Sequence, residues 1–197
     1  MYYVYTVKDI FKMPPDKFGS DITEVGAEML QRRYEGSIDK EMGVIVCVFN
    51  IRNIGDGRIY PGDPSTHHEA EFDVVTYAPH VDEVIVGDVT ELAEFGAFLR
   101  MGPMDGLVHV SQIANDFLSL DRKIPAFVSK KTSLSLKKND IAYAKISTVS
   151  MKSSVKDSKI ALTMRPTGLG KPEWAGIQEH GQRGAQKGGH RKQQPKK

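Results

Sequence analysis

The sequence predicts two modules in series: an α+β domain of strand-helix-strand-strand order over residues 1–80, then an all-β OB-fold barrel over 84–166. Three observations point there. Up to about residue 80 helical and strand periodicities alternate, and beyond it only short strands and turns follow. Charge divides at the same place: residues 1–83 hold 8 basic against 15 acidic side chains, and 84–165 hold 12 against 8. A chain of 197 residues, 40% of them hydrophobic, has room for one large core or two small ones.

Residues 2–11 are rich in aromatic and β-branched side chains and predict a strand, which Pro14-Pro15 and Gly19 end in a turn. Asp21-Ile22-Thr23-Glu24 then has capping-box spacing. Ile22, Val25, Met29, Leu30 and Tyr34 recur at helical intervals, so 21–36 predicts an amphipathic helix that Gly36 stops. The nearly unbroken apolar run 44–51 is short and β-branched, which favours a buried strand with Cys47 as a buried structural thiol. A turn-rich loop covers 55–64, residues 69–77 read as the returning strand, and Ala78-Pro79-His80 closes the module.

Five short strands are expected at 84–92, 97–101, 107–110, 141–149 and 160–164, a number that suits a small closed barrel. Between the third and fourth, 115–139 reads as an inserted loop, partly helical at most, carrying Lys130-Lys131 and Lys137-Lys138. After Trp174 the composition collapses into Gly, Gln, Lys, Arg and His, so 175–197 predicts a disordered basic tail.

Several classes of function are excluded. A single cysteine rules out an intrachain disulfide framework and a Cys-rich zinc site. No apolar run approaches the roughly 18–20 residues of a membrane span, and the N-terminus lacks the regions of a signal peptide. The chain therefore reads as soluble and cytoplasmic. His67-His68 is the densest imidazole cluster, but neighbours on a strand point to opposite faces, so no metal site is expected. Walker, dinucleotide-binding and nucleophile-elbow patterns are missing, and Gly168-Leu169-Gly170 precedes Pro172 rather than a helix. No catalytic residue, cofactor or small-molecule substrate is expected.

The sharpest signal comes as three blocks in order. These are Val86-Gly87-Asp88-Val89, then Glu94-Phe95-Gly96-Ala97-Phe98-Leu99, then Asp105-Gly106-Leu107-Val108-His109-Val110-Ser111. Their order and spacing resemble the S-one type RNA-binding domain, an OB-fold. Phe95 and Phe98 flank a Gly-Ala pair, so unpaired bases could stack on accessible rings. Arg100 lies two residues past Phe98, on the same face of a strand, and supplies a phosphate contact or a stacking guanidinium. His109 offers a donor or a third ring, and Lys137, Lys138 and Lys145 add positive charge. Bland alternatives stand beside these: one of the two phenylalanines as core, His109 as structural, the lysines as solvated loop charges. No residue here reads a base edge uniquely, so the expected ligand is single-stranded RNA with weak sequence preference.

The rest of the chain narrows the family. The opening Met1-Tyr2-Tyr3-Val4-Tyr5 strand, the Pro14-Pro15 turn, the Gly55-Asp56-Gly57-Arg58-Ile59-Tyr60-Pro61-Gly62-Asp63 loop and Glu71-Phe72-Asp73 precede the barrel. Leu162-Thr163-Met164-Arg165 and Gly168-Leu169-Gly170 follow it. Together they resemble the E-prime stalk subunits of archaeal DNA-directed RNA polymerase, relatives of the seventh subunit of eukaryotic polymerase II. That resemblance implies a truncated ribonucleoprotein-like fold for the α+β module, in a non-catalytic protein that pairs with the small helical F polypeptide of the same stalk. It implies docking on the polymerase core through Gly55, Asp56, Gly57, Arg58, Pro61, Gly62 and Asp63, while the barrel meets nascent RNA. Pro64 stands where the family commonly has glycine, fixing φ and removing an amide donor. The rival reading is an RNA-binding accessory of translation or RNA decay built on the same barrel.

Overall fold

A computed structural model gives the protein at residues 1–121, 125–129 and 134–174. The basic tail 175–197 and the Lys130-Lys131 pair lie outside the described residues. The chain divides into two units, Met1–His80 with Ser150–Ser158, and Val81–Val149 with the residues from Lys159 on.

In the first unit β1 (Tyr2–Met13) leads to α1 (Ile22–Tyr34), then β2 (Ile38–Asp39), β3 (Gly43–Arg52), β4 (Arg58–Ile59) and β5 (Thr66–Tyr77). The sheet order is β1-β5-β3-β2, with β4 paired to β5. β1 and β5 run antiparallel in unbroken register from Tyr2↔Tyr77 to Met13↔Thr66. Asp21 caps α1: its Oδ1 accepts from the Thr23 amide at 2.7 Å and the Glu24 amide at 3.3 Å. Those backbone donors hold its carboxyl below the ordinary value. The helix ends at Tyr34, two residues before the expected stop, because Glu35 is extended and Gly36 takes φ +77. Val25 and Leu30 are buried in one cluster with Phe11, Phe72 and Val48. A side chain of that size stabilises by about 1.5–3 kcal/mol when fully buried.

β3 departs from the fully buried strand that its sequence predicts. Ile45 pairs with Thr76 and Cys47 with Val75, so Val46 is an extra residue in a bulge and is exposed, as is Phe49. Cys47 is half-buried rather than buried, on the face away from α1. A second irregularity between Phe49 and Arg52, with Asn50 at φ +53, brings Arg52 opposite Glu71. There its guanidinium spans Asp73 at 2.8 and 3.0 Å and Glu71 at 3.0 Å.

The second unit is a closed barrel. Its strands are β6 (Val84–Ala93), β7 (Gly96–Arg100) and β8 (Asp105–His109), and, past the insertion, β12 (Ile141–Ser150) and β13 (Lys159–Thr163). They close in the order β12-β13-β8-β7-β6, with β13 parallel to β8. Val89, Leu99, Val108, Ala144, Ile146 and Leu162 fill the interior. The five strands match the sequence expectation. The inserted segment does not. After a one-turn α2 (Val110–Ile113) it forms an antiparallel meander of β9 (Leu118–Asp121), β10 (Ala126–Ser129) and β11 (Ser135–Lys137). Leu118, Phe127 and Leu136 are buried in it, so this is a small sheet and not the expected loop.

The barrel also extends past residue 166. Gly170 and Tyr143 exchange both backbone hydrogen bonds, and Trp174 is buried against Gly170. Among the described residues no helix is long and apolar enough to cross a membrane.

Candidate nucleic-acid interface

The β6–β7 hairpin turns on two residues, Glu94 and Phe95, closed by the Ala93↔Gly96 pair. Gly96 is backed by the β8 main chain, and the turn leaves Phe95 pointing outward, 51% exposed. Along β7, Ala97 and Leu99 face the interior, so alternation turns Phe98 and Arg100 outward. The Phe95 and Phe98 rings stand perpendicular with centroids 6.1 Å apart. Neither phenylalanine is core.

His109 ends β8 opposite Gly96 and is exposed on the same face. Its Nδ1 accepts from the Ser111 amide at 3.3 Å and lies 2.9 Å from the Ser111 hydroxyl. An amide donor on Nδ1 assigns the neutral ring's proton to Nε2. Leu107, half-buried, pairs with Phe98 on the same face. Sequence reasoning passes over Ser111 as the residue that orients His109, although it stands in the same Val-His-Val-Ser block.

The cations are less concentrated. Arg100 is exposed beside the rings, with Nε 3.9 Å from Asp105, and its β6 neighbour is Asp88. Lys145 is not brought to this surface: it lies opposite Val84 at the start of β6, and its Nζ is 2.6 Å from Asp82. Lys137 ends β11 and Lys138 opens the turn before β12, a turn that bonds to Val89 of β6 and so stands one strand away from β7. Among the described residues the candidate interface is a ring platform with one adjacent cation, and no lysine lines it.

The 55–63 loop is a second projecting feature. His68, 8% exposed, stacks on Phe11 and places Nδ1 3.1 Å from the Gly55 carbonyl and Nε2 3.0 Å from the Thr66 hydroxyl. Tyr60 through Asp63 make a turn, its Asp63 amide donating to the Tyr60 carbonyl, with Pro61 second and Gly62 third at φ +86. Asp63 accepts from the Ser65 amide at 3.1 Å and meets Lys12 at 2.8 Å and His67 at 3.0 Å. Those contacts, Lys12 first, hold its carboxyl far below the usual range. The Asp63–Ser65 bond spans Pro64, so the amide that proline lacks is not needed. Of the seven loop positions singled out by sequence, Asp56, Gly57, Arg58, Pro61 and Gly62 are exposed at the surface with Gly55. Ile59 at 69% and Tyr60 at 46% exposure are the apolar side chains that project, and the sequence pattern alone does not select them. His67 and His68 face opposite ways: one to Asp63 and Tyr60, the other to Phe11.

Both halves of the chain match described domains. Residues 8–64 match the SHS2 domain found in the N terminus of Rpb7p/Rpc25p/MJ0397, and 78–159 match the S1 RNA binding domain. Over 174 residues the chain is 36% identical to DNA-directed RNA polymerase subunit Rpo7 of Saccharolobus shibatae, covering 88% of this chain and 97% of that one. Identity to the Rpo7 subunit of Sulfolobus acidocaldarius is 38%, over 88% of this chain and 94% of that protein. More distantly, it is 23% identical to DNA-directed RNA polymerase III subunit RPC8 of Bos taurus, over 55% of this chain and 53% of that one.

Proposed function

The chain belongs to the family of DNA-directed RNA polymerase subunit Rpo7, and from that premise we propose that it is a non-catalytic stalk component working on the cytoplasmic polymerase. Residues 1–80 dock on the polymerase core near the clamp through the 55–63 loop and pair with the small helical F polypeptide. The barrel of 84–166 captures nascent single-stranded RNA on Phe95, Phe98, His109 and Arg100. Stacking is worth about 1–3 kcal/mol per base and tolerates any sequence. Attachment near the site where transcript emerges raises the effective RNA concentration, so weak intrinsic affinity suffices.

One observation carries this reading: identity of 36–38% to Rpo7 subunits runs through both units instead of stopping at the barrel. Affinity purification of the tagged full chain from its native cells, at moderate salt and with mass spectrometry, tests it. Large polymerase subunits with one small helical protein in equal amount are expected. Recovery of ribosomal or exosome proteins in their place would overturn it.

A further inference from the structure

Beside the ring platform the barrel carries a groove of about 790 Å³ that the stacking reading does not use. Ala114, Leu118 and Phe127 form its floor, all nearly or wholly buried. Phe117 stands on its lip at 75% exposure. Arg165 makes one wall, and Asn115 holds it once by the side chain and once by the main chain. Its Oδ1 accepts from Arg165 Nε at 2.8 Å, and its Nδ2 donates to the Arg165 carbonyl at 3.1 Å. The two terminal guanidinium nitrogens of Arg165 have no hydrogen bond to any described residue.

Two bonds tie the groove to the platform. The Val110 amide, in the groove wall, donates to the Phe95 carbonyl at 2.9 Å, and Ser111 lines the groove while holding His109. A strand leaving the Phe95–His109 surface therefore meets the groove next. We propose that the groove seats one nucleobase of the same RNA strand, stacked on Phe117 with an edge toward the Arg165 guanidinium. This rests on the RNA-binding reading above. The apolar floor of Ala114, Leu118 and Phe127 suits the face of a base rather than a phosphate. A flat exposed ring, an oriented guanidinium and an apolar floor are the groups that hold an unstacked base.

The test is a length series of unstructured single-stranded RNAs, about 4 to 16 nucleotides, bound to purified full chain and followed by fluorescence anisotropy. In Phe117→Ala the shortest RNAs bind as in wild type, but affinity stops rising at a shorter length and ends about tenfold weaker. Phe117→Tyr restores the long-RNA affinity. Phe95→Ala weakens binding at every length. If Phe117→Ala follows the wild-type series while Phe95→Ala is weakened, the groove is off the RNA path and the inference falls alone. If neither variant differs from wild type, the RNA platform itself is wrong. Loss of a co-purifying protein from Phe117→Ala, with RNA binding intact, would give the groove to that protein and overturn the inference.

Discussion

Gly96 and Val108 meet backbone to backbone: a Cβ on Gly96 would lie 2.2 Å from the Val108 carbonyl oxygen. No flexible side-chain end is involved, so relief requires β7 and β8 to separate. The same closeness sets Phe95 on the turn above and His109 opposite. Gly96→Ala is expected to cost about 1–3 kcal/mol and to weaken RNA binding, read as a lower melting temperature and a weaker anisotropy isotherm. Melting at the wild-type temperature would show that the two strands do not approach this closely.

The salt dependence of RNA binding should be shallow. Each phosphate neutralised contributes about −0.7 to the log–log slope for a single strand. Arg100 is the one cation beside the rings among the described residues, and Asp88 and Glu91 flank it and Phe98 on β6. Arg100→Ala is expected to reduce the slope by about 0.7, whereas Lys145→Ala, whose ammonium is paired to Asp82, leaves it unchanged. A wild-type slope of about −3 or steeper would mean that the lysines reach the RNA after all.

What the sequence made legible is uneven, and the reasons are physical. Both modules, the five barrel strands and the outward aromatic block follow from local period and from Gly96, where the close approach of β8 leaves no room for a Cβ. The lysines do not, because Asp82, which holds Lys145, stands 63 residues away and pairing at that range leaves no local trace. The insertion reads as a loop because strands of three or four residues, as in Ser135–Lys137, are shorter than the window in which alternation can be seen. In β3 the unbroken apolar run conceals a bulge, which puts Ile45 and Val48, three residues apart, on the same buried face.

Asp73 gives the first unit an acid-sensitive contribution to stability. Arg52 first, then Asn50 and Thr6, hold its carboxyl far below the ordinary carboxylate value. The folded state thus binds fewer protons than the unfolded chain as pH drops. Its stabilisation is complete above the unfolded value, near pH 4, and is lost as pH falls through the folded one. Melting temperature is expected to hold above about pH 5 and to decline below it. Asp73→Asn should lower the melting temperature at neutral pH and make the acid decline shallower. Asp63, held low by Lys12, keeps that decline from vanishing. An unchanged acid profile in the variant would remove Asp73 from this role.

His68 is the residue on which the projecting loop closes. It contacts the Gly55 carbonyl on one side and the Thr66 hydroxyl on the other. A Cβ on Gly57 would sit 2.6 Å from its Cε1, and the ring, stacked on Phe11, has little freedom to withdraw. His68→Ala removes the contact from one side and Gly57→Ala forces it apart from the other. Both are expected to speed amide exchange around 53–57 and to reduce recovery of large polymerase subunits several-fold. RNA binding by the barrel should be unaffected, since Phe95, Phe98 and His109 belong to the other unit. Losing one buried hydrogen-bonding group costs about 1–3 kcal/mol, so the His68 variant should also melt lower, while Gly57→Ala loosens the loop with the His68 contacts to Phe11 and Thr66 intact. Undiminished polymerase recovery with both variants, despite faster exchange, would show that a fixed loop shape is not what the core recognises.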